Sequence, residues 1–447
     1  MSSPNVNGVL RKALSELDGD LRIGVIGTLA QRGDQEAVAQ IAPLMESENL
    51  TLAEAAVKAL GEIGGRESAQ ALSRAKVADS LQFLKDDSLL LCLDRWAAEG
   101  GADQAAPFYE QMTSADKPVM TRIAAYRGMI QCNPYNSVPL LVSLLKNETP
   151  ALRQAAAGPF LRLIPGSKVV QSLSIALPQL PAETQIMTIA ALAARGDSTA
   201  APALAQAALS ENEAVKIAAI EALGALGDAS HVEMLAQTAA QGGAAGNAAF
   251  QSLAQMKYAE GAIRKIIQTS EPKVQAALLR TLADRRSHNA VPLLLDFALH
   301  SNAAVRREAM QGLTRLSEPE HIPDLLLLLS QTEDPKDVQA IEQCAASVAE
   351  NMEDPDLRTQ YFMEAMKNSP AAARASILQM LARFGGPSAC QAVQQVMETD
   401  YDVTVKKAAL AALMNWPDAS PIETVFFFAR RENELCNQKE ALESYLR

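Results

Sequence analysis

Aromatic residues are scarce here: 4% of the 447 residues, with only two Trp. Few aromatic or β-branched runs exist to make strands, so a sheet-built core is not expected. Cationic charge is also short. The 40 Lys and Arg face 52 Asp and Glu, for a formal charge of −12. An acidic surface repels phosphate backbones and anionic headgroups, which argues against general nucleic-acid binding and membrane docking. The five cysteines (Cys92, Cys132, Cys344, Cys390 and Cys436) are scattered, with no Cys-x-x-Cys. They read as free buried thiols and not as a disulfide framework. No window approaches the roughly 18 uncharged apolar residues of a membrane span. Met1–Gly8 lacks the basic and apolar regions of a secretory signal, so a soluble chain is expected. Its compartment is left open: cytoplasmic, or periplasmic if a signal has been removed.

What the chain has is repetition. Leu21-Arg-Ile-Gly-Val-Ile-Gly-Thr-Leu29 returns as Val215-Lys-Ile-Ala-Ala-Ile-Glu-Ala-Leu223, and each run is followed by a Gly-Asp pair. Internal repeats fix an architecture before any local element does. Apolar residues at positions 0, +4, +5 and +8 share one helix face. That register starts at Leu21, Leu52, Leu89, Thr121, Leu152, Thr184, Val215, Ala245, Val274, Val305, Val338, Ala373 and Val405. Near Val338 it slips by one, onto Ile341, Cys344 and Ala345. Leu89, Ala245 and Val338 mark weak registers. A second helix lies between successive registers, as at Val138–Leu145 and Val291–Ala298. Pro139, Pro202, Pro292 and Pro323 suit its first turn. Gly33, Gly64, Gly196, Gly227 and Gly385 suit left-handed caps. Asp34, Asp197 and Asp228 suit N-caps. The reading is an all-α solenoid of about 13 helix pairs on one continuous array. Residues 1–17 read as an N-terminal capping helix, 18–430 as the repeats, and 431–447 as a C-terminal helix, the expected start of a truncated repeat. The aromatic run Thr424–Arg431 is expected in the core, as are Trp96 and Trp416.

The turns Asp20-Leu-Arg22, Asn212-Glu-Ala-Val-Lys216 and Asn302-Ala-Ala-Val-Arg306, each leading into an Ala/Leu helix, resemble the HEAT-repeat family of armadillo-type α-solenoids. The resemblance covers nearly the whole chain. Leu223-Gly-Ala-Leu-Gly-Asp-Ala-Ser230 and Trp416-Pro-Asp-Ala-Ser-Pro421 are similar to large bacterial HEAT-repeat proteins of uncharacterised function. The resemblance implies a right-handed superhelix whose second helices line a concave side. It also implies that the residues at +1 (Arg22, Arg122, Arg153, Lys216 and Arg306) pair with loop carboxylates of neighbouring repeats. Arg127, Arg162, Arg280, Arg315 and Arg383, at +6 or +10, would then face the concave side. An arginine row there suits an acidic or phosphorylated partner. The densest basic stretch is Arg280, Arg285, Arg286, Arg306, Arg307 and Arg315, which makes it the candidate partner-binding patch.

Catalytic chemistry has no counterpart in the pattern. His231, His288 and His321 recur at polar turns one or two repeats apart, and no His-x-x-x-His or Cys-x-x-Cys supplies a zinc site. Gln241–Asn247 is Gly-rich but follows a helix and lacks the Lys of a phosphate loop, so it reads as an inter-helix loop. Asp86-Asp87 and Glu318/Glu320 read as turn and capping residues. The expected function is a non-catalytic scaffold for a protein or peptide, without cofactor or metal. HEAT-like nucleic-acid binders and tetrapyrrole lyases are the alternatives; they call for a basic or an aromatic, acidic pocket that the sequence does not display.

Overall fold

The computed structural model describes residues 4–430 except Glu148. The described residues are predominantly helical, with no strand, and form an all-α solenoid of paired helices. Close contacts divide the chain into two compact units, residues 1–222 and 223–447.

The pair Val291–Ala298 and Ala303–Leu316 shows how sequence makes the repeat. Pro292 sits in the first turn of the first helix, where no N–H is needed. Between the two helices, Asn302 Oδ1 accepts the backbone N–H groups of Ala304 and Val305 at 2.9 and 3.4 Å, starting the second. Val305, Ala309, Met310 and Leu313 then form the expected buried stripe. Asn49, Asn212 and Asp402 cap their own second helices in the same way. Second helices pack on second helices: Leu50–Ile63 on Gln82–Trp96 in unit 1, and Pro272–Asp284 on Ala303–Leu316 in unit 2. Every side chain in the stripe excludes water only with the next repeat in place, so the core grows along the stack.

The first helix, Pro4–Glu16, buries Leu14 and joins the stack by its charges. Arg11 donates to Asp34 at 2.8 Å and pairs with Glu36 at 2.8 Å. Asp34 is thereby taken by Arg11 and makes no side-chain cap of its own. Asp197 and Asp228 do cap, accepting from the backbone of Thr199 and Ser230. All thirteen registers fall in helices, and the slip onto Ile341, Cys344 and Ala345 is buried as read.

Several local expectations change. The third second helix starts at Gln82, so its register opens one turn before Leu89. This places Asp86 inside the helix and buried, where Lys117 Nζ meets its two oxygens at 2.9 and 2.8 Å; it is no turn residue. Leu21 is 68% exposed, because the stripe of its helix runs through Ile26, Leu29 and Ala30. Of Gln241–Asn247 only Gly242 lies between helices, since Gln241 ends one and Gly243 begins the next. Pro159 lacks the N–H a regular helix needs, and Ala156–Phe160 widens into a π-turn around it. Trp96 and Trp416 are buried as expected. In the aromatic run Val425 is buried, but Phe427 is half exposed. The expected C-terminal helix 431–447, with Cys436, lies outside the described residues. No helix among the described residues is long and apolar enough to cross a membrane.

Gly196 takes the left-handed cap, with φ 75°. Gly227 serves differently: a Cβ there would lie 2.5 Å from the Leu223 carbonyl oxygen. Gly227→Ala should therefore destabilise by about 1–3 kcal/mol through overpacking. Gly27→Ala, in open space on the exposed face of Gly19–Gln31, should stabilise by about 0.5–1 kcal/mol. Urea unfolding of both variants checks the pair of signs.

Burial pushes the Cys92 thiol up to about 12 and Cys344 to about 11, from an ordinary 9.0. Above about pH 9 the unfolded thiols ionise while the folded ones stay protonated, so the folded state holds more protons and stability falls as pH rises. The urea midpoint should drop between pH 8 and pH 10, and drop less in a Cys92→Ala/Cys344→Ala variant. An equal drop in both proteins would contradict this.

Candidate functional site

The basic side chains occupy recurrent positions, and the structure gives each position a different job. At +1, Arg306 reaches forward to the next pair. Its Nε donates to Asp337 at 2.6 Å, Nη2 meets Asp334 at 3.4 Å, and Nη1 donates to the His300 and Ser301 carbonyls at 3.1 Å each. Arg153 likewise meets Glu183 of the next pair at 3.5 Å. The other three do not follow. Arg22 turns to Asp18 at 3.9 Å, Arg122 to the Thr113 carbonyl at 3.2 Å, and Lys216 to Glu213 at 3.4 Å. The reason lies one residue before the next register. Glu183 and Asp337 stand there for Arg153 and Arg306, whereas Thr51, Ala151 and Ala244 stand there for the others.

A second position clamps the preceding repeat. Arg285 Nη1 donates to the carbonyls of Leu253, Ala254 and Met256 at 2.8, 3.0 and 2.7 Å. These oxygens end the helix Gly243–Gln255 and have no partner within it. Arg195 does the same for Leu161, Ile164 and Gly166, and Arg95 for Glu62. Sequence reading did not single out Arg95 and Arg195 for this task. The available signal was Arg195 standing directly before the capping Gly196, where Arg285 stands before Arg286.

The arginines at +6 and +10 mostly find acids one repeat back. Arg127 meets Asp94 at 3.1 Å, Arg383 meets Glu350 at 2.7 Å, and Arg315 pairs with Asp284. Arg280 stacks its guanidinium 4.3 Å from the Phe250 ring centre. Arg162 is exposed and makes no ion pair among the described residues.

The six patch residues thus separate. Arg285, Arg306 and Arg315 hold repeats together, and Arg280 lies on an aromatic ring. Arg286 and Arg307 are exposed, with no side-chain partner among the described residues. Arg307 lines a cleft of about 480 Å³ between Ala303–Leu316 and Pro335–Glu350, with Gln311, Lys336 and Gln343. Asp334 and Asp337 also line it, but Arg306 engages both. Arg307 and Lys336 make no ion pair among the described residues, and the cleft holds three cations against two carboxylates on a chain of charge −12. Gln311 and Gln343 add exposed amides able to donate and accept.

The histidines belong to turns. Nδ1 of His231 accepts the Asp228 N–H at 3.2 Å, and Nδ1 of His321 accepts the Glu318 N–H at 3.0 Å. His288 faces Glu318 at 3.2 Å. Among the described residues no group of three or more His, Cys, Asp or Glu is arranged to hold a metal ion.

A model of HEAT repeats matches residues 8–89, 170–254 and 259–346. No curated protein sequence matches the chain. Among solved structures it is similar to Kap121p, at 12% identity over 99% of this chain and 57% of that one, with a TM-score of 0.41. Importin beta is similar at 11% identity over 99% and 68%, with a TM-score of 0.29. Human deoxyhypusine hydroxylase is similar at 16% identity over 70% and 96%, with a TM-score of 0.24. The chain spans a little over half the length of Kap121p. Kap121p itself has been solved bound to RanGTP.

Replacing Arg285 by Gln should lower stability by about 1.5–3 kcal/mol, the worth of charge-assisted bonds to otherwise unpaired carbonyls. Arg315→Gln breaks an exposed pair and should lose less than about 1 kcal/mol. Urea unfolding of the two variants side by side reads the difference; an equal loss would contradict the assignment of roles.

Proposed function

We propose that this chain, which belongs to the HEAT-repeat family, is a non-catalytic scaffold that binds a protein or peptide along the exposed face of its second helices. The repeats bury their apolar stripes against one another and use most of their arginines to do so. Function then falls to the polar surface that the stacking does not consume.

One observation carries the reading. In the cleft between Ala303–Leu316 and Pro335–Glu350, Arg306 engages both acids while Arg307 and Lys336 make no ion pair beside Gln311 and Gln343, so three cations face two carboxylates. Two fixed cations with flanking amides match an extended segment bearing carboxylates: the cations meet its charge and the amides its backbone. The overall acidity of the chain disfavours a nucleic-acid backbone as the occupant.

A photo-crosslinking amino acid placed at Gln311 tests this in cells. It should capture discrete protein adducts that are lost when Arg307→Glu and Lys336→Glu are added. The same probe at Asp324, on the first helix Ile322–Gln331, should not capture them. Adducts dominated by nucleic acid, or protein adducts unchanged by charge reversal, would contradict the proposal.

A further inference from the structure

The turn that closes Pro272–Asp284 breaks the repeat pattern at one residue. Arg32-Gly33-Asp34 and Arg195-Gly196-Asp197 end their helices with Gly at φ 62° and 75°. The matching turn reads Arg285-Arg286-Ser287, and Arg286 holds the same left-handed conformation at φ 54°. It is the one non-glycine residue at positive φ among the described residues. An L side chain there crowds its own backbone, a penalty that glycine avoids.

The turn caps its helix, with the Ser287 N–H on the Leu282 carbonyl at 3.1 Å as the Asp34 N–H is on Leu29, but that cap needs only the left-handed backbone and no arginine side chain. Arg285 makes the carbonyl clamp, so the repeat contact is already complete without its neighbour. The Arg286 side chain is exposed and has no hydrogen bond or ion pair among the described residues. It lines a cleft of about 510 Å³ with Asp284, His288 and Arg315. Arg315 is paired with Asp284 there, and His288 faces Glu318. Arg286 is therefore the fixed cation of this cleft that no carboxylate neutralises. Backbone strain held by a side chain without a structural role is a mark of a binding residue.

We propose that Arg286 is a partner-contacting residue, kept at a glycine position to clasp a single carboxylate of an acidic protein segment. The charge balance selects the ligand. One uncompensated guanidinium matches one carboxylate in a two-point bond, whereas the second charge of a phosphate dianion finds no further unpaired cation in this cleft. This rests on the scaffold reading and names the partner's chemistry: an Asp or Glu side chain on the segment whose other acids meet Arg307 and Lys336.

The test uses the full chain and three labelled peptides of one apolar–acidic sequence, carrying Glu, Gln or phosphoserine at the central position. Binding of the Glu peptide should weaken at least fivefold in both Arg286→Gly and Arg286→Asn, the latter a residue that tolerates positive φ. It should be unchanged in Arg66→Gln, an exposed arginine on the first helix Gly65–Arg74 of the other unit. The Gln peptide should already bind weakly to the unaltered protein. Arg286→Gly should also raise the urea midpoint, since it relieves the backbone. Unchanged Glu-peptide binding in both variants, or a lowered midpoint in Arg286→Gly, overturns the proposal. Tighter binding of the phosphoserine peptide overturns the choice of a carboxylate. Capture at Gln311 does not depend on Arg286, so protein adducts that persist there while these tests fail would reject this inference and leave the scaffold reading standing.

Discussion

The structure depends on a contact that spans about thirty residues: a side chain of one repeat completing the polar groups of its neighbour. An isolated helix pair leaves its apolar stripe bare and its helix-end carbonyls unpaired. Stacking covers the stripe, but it also buries the helix ends, and those need donors. Arg285 provides one to three carbonyls at once, and Arg195 does the same in the other unit. Ion pairs such as Arg306–Asp337 and Lys117–Asp86 fix the spacing of adjacent pairs further.

This constraint sorts the charges. Every arginine committed to a neighbour is withdrawn from binding, however exposed its stretch of sequence looks. The basic run 280–315 reads as a uniform patch, yet half of it is internal fastening. Arg306 and Arg307 are adjacent in sequence and differ completely: one meets two carboxylates, the other meets none. The surface left for the proposed partner, a carboxylate-bearing segment, is smaller than a count of arginines suggests.

The fold was legible because its signal is redundant. Most of thirteen registers agree on one apolar spacing, and a misplaced or slipped one, such as Leu89 or Val338, does not change the architecture. The Leu89 helix begins earlier because Gln82–Leu84 continue the helical run that the register was set to start after. The site was less legible, since a side chain's partner lies one repeat away. Some of that was written in the sequence: Glu183 and Asp337 just before the next register predict which +1 arginines reach forward, and Thr51, Ala151 and Ala244 predict which do not. The carbonyl clamps were fainter, because backbone acceptors are the same at every residue and only an arginine directly before the capping position marks Arg195 and Arg285. The strain at Arg286 needed both views, the repeat to show that Gly belongs there and the backbone to show that Arg takes its conformation.

Neighbouring arginines divide into repeat fasteners and side chains without an ion-pair partner among the described residues. Amide hydrogen exchange of Pro335–Glu350 in Arg306→Gln and Arg307→Gln variants tests it most directly. Loss of the Arg306 ties to Asp334 and Asp337 should speed exchange in the first turns of that helix, while loss of Arg307 should leave it unchanged. Equal acceleration by both substitutions, or none by Arg306→Gln, would contradict the account.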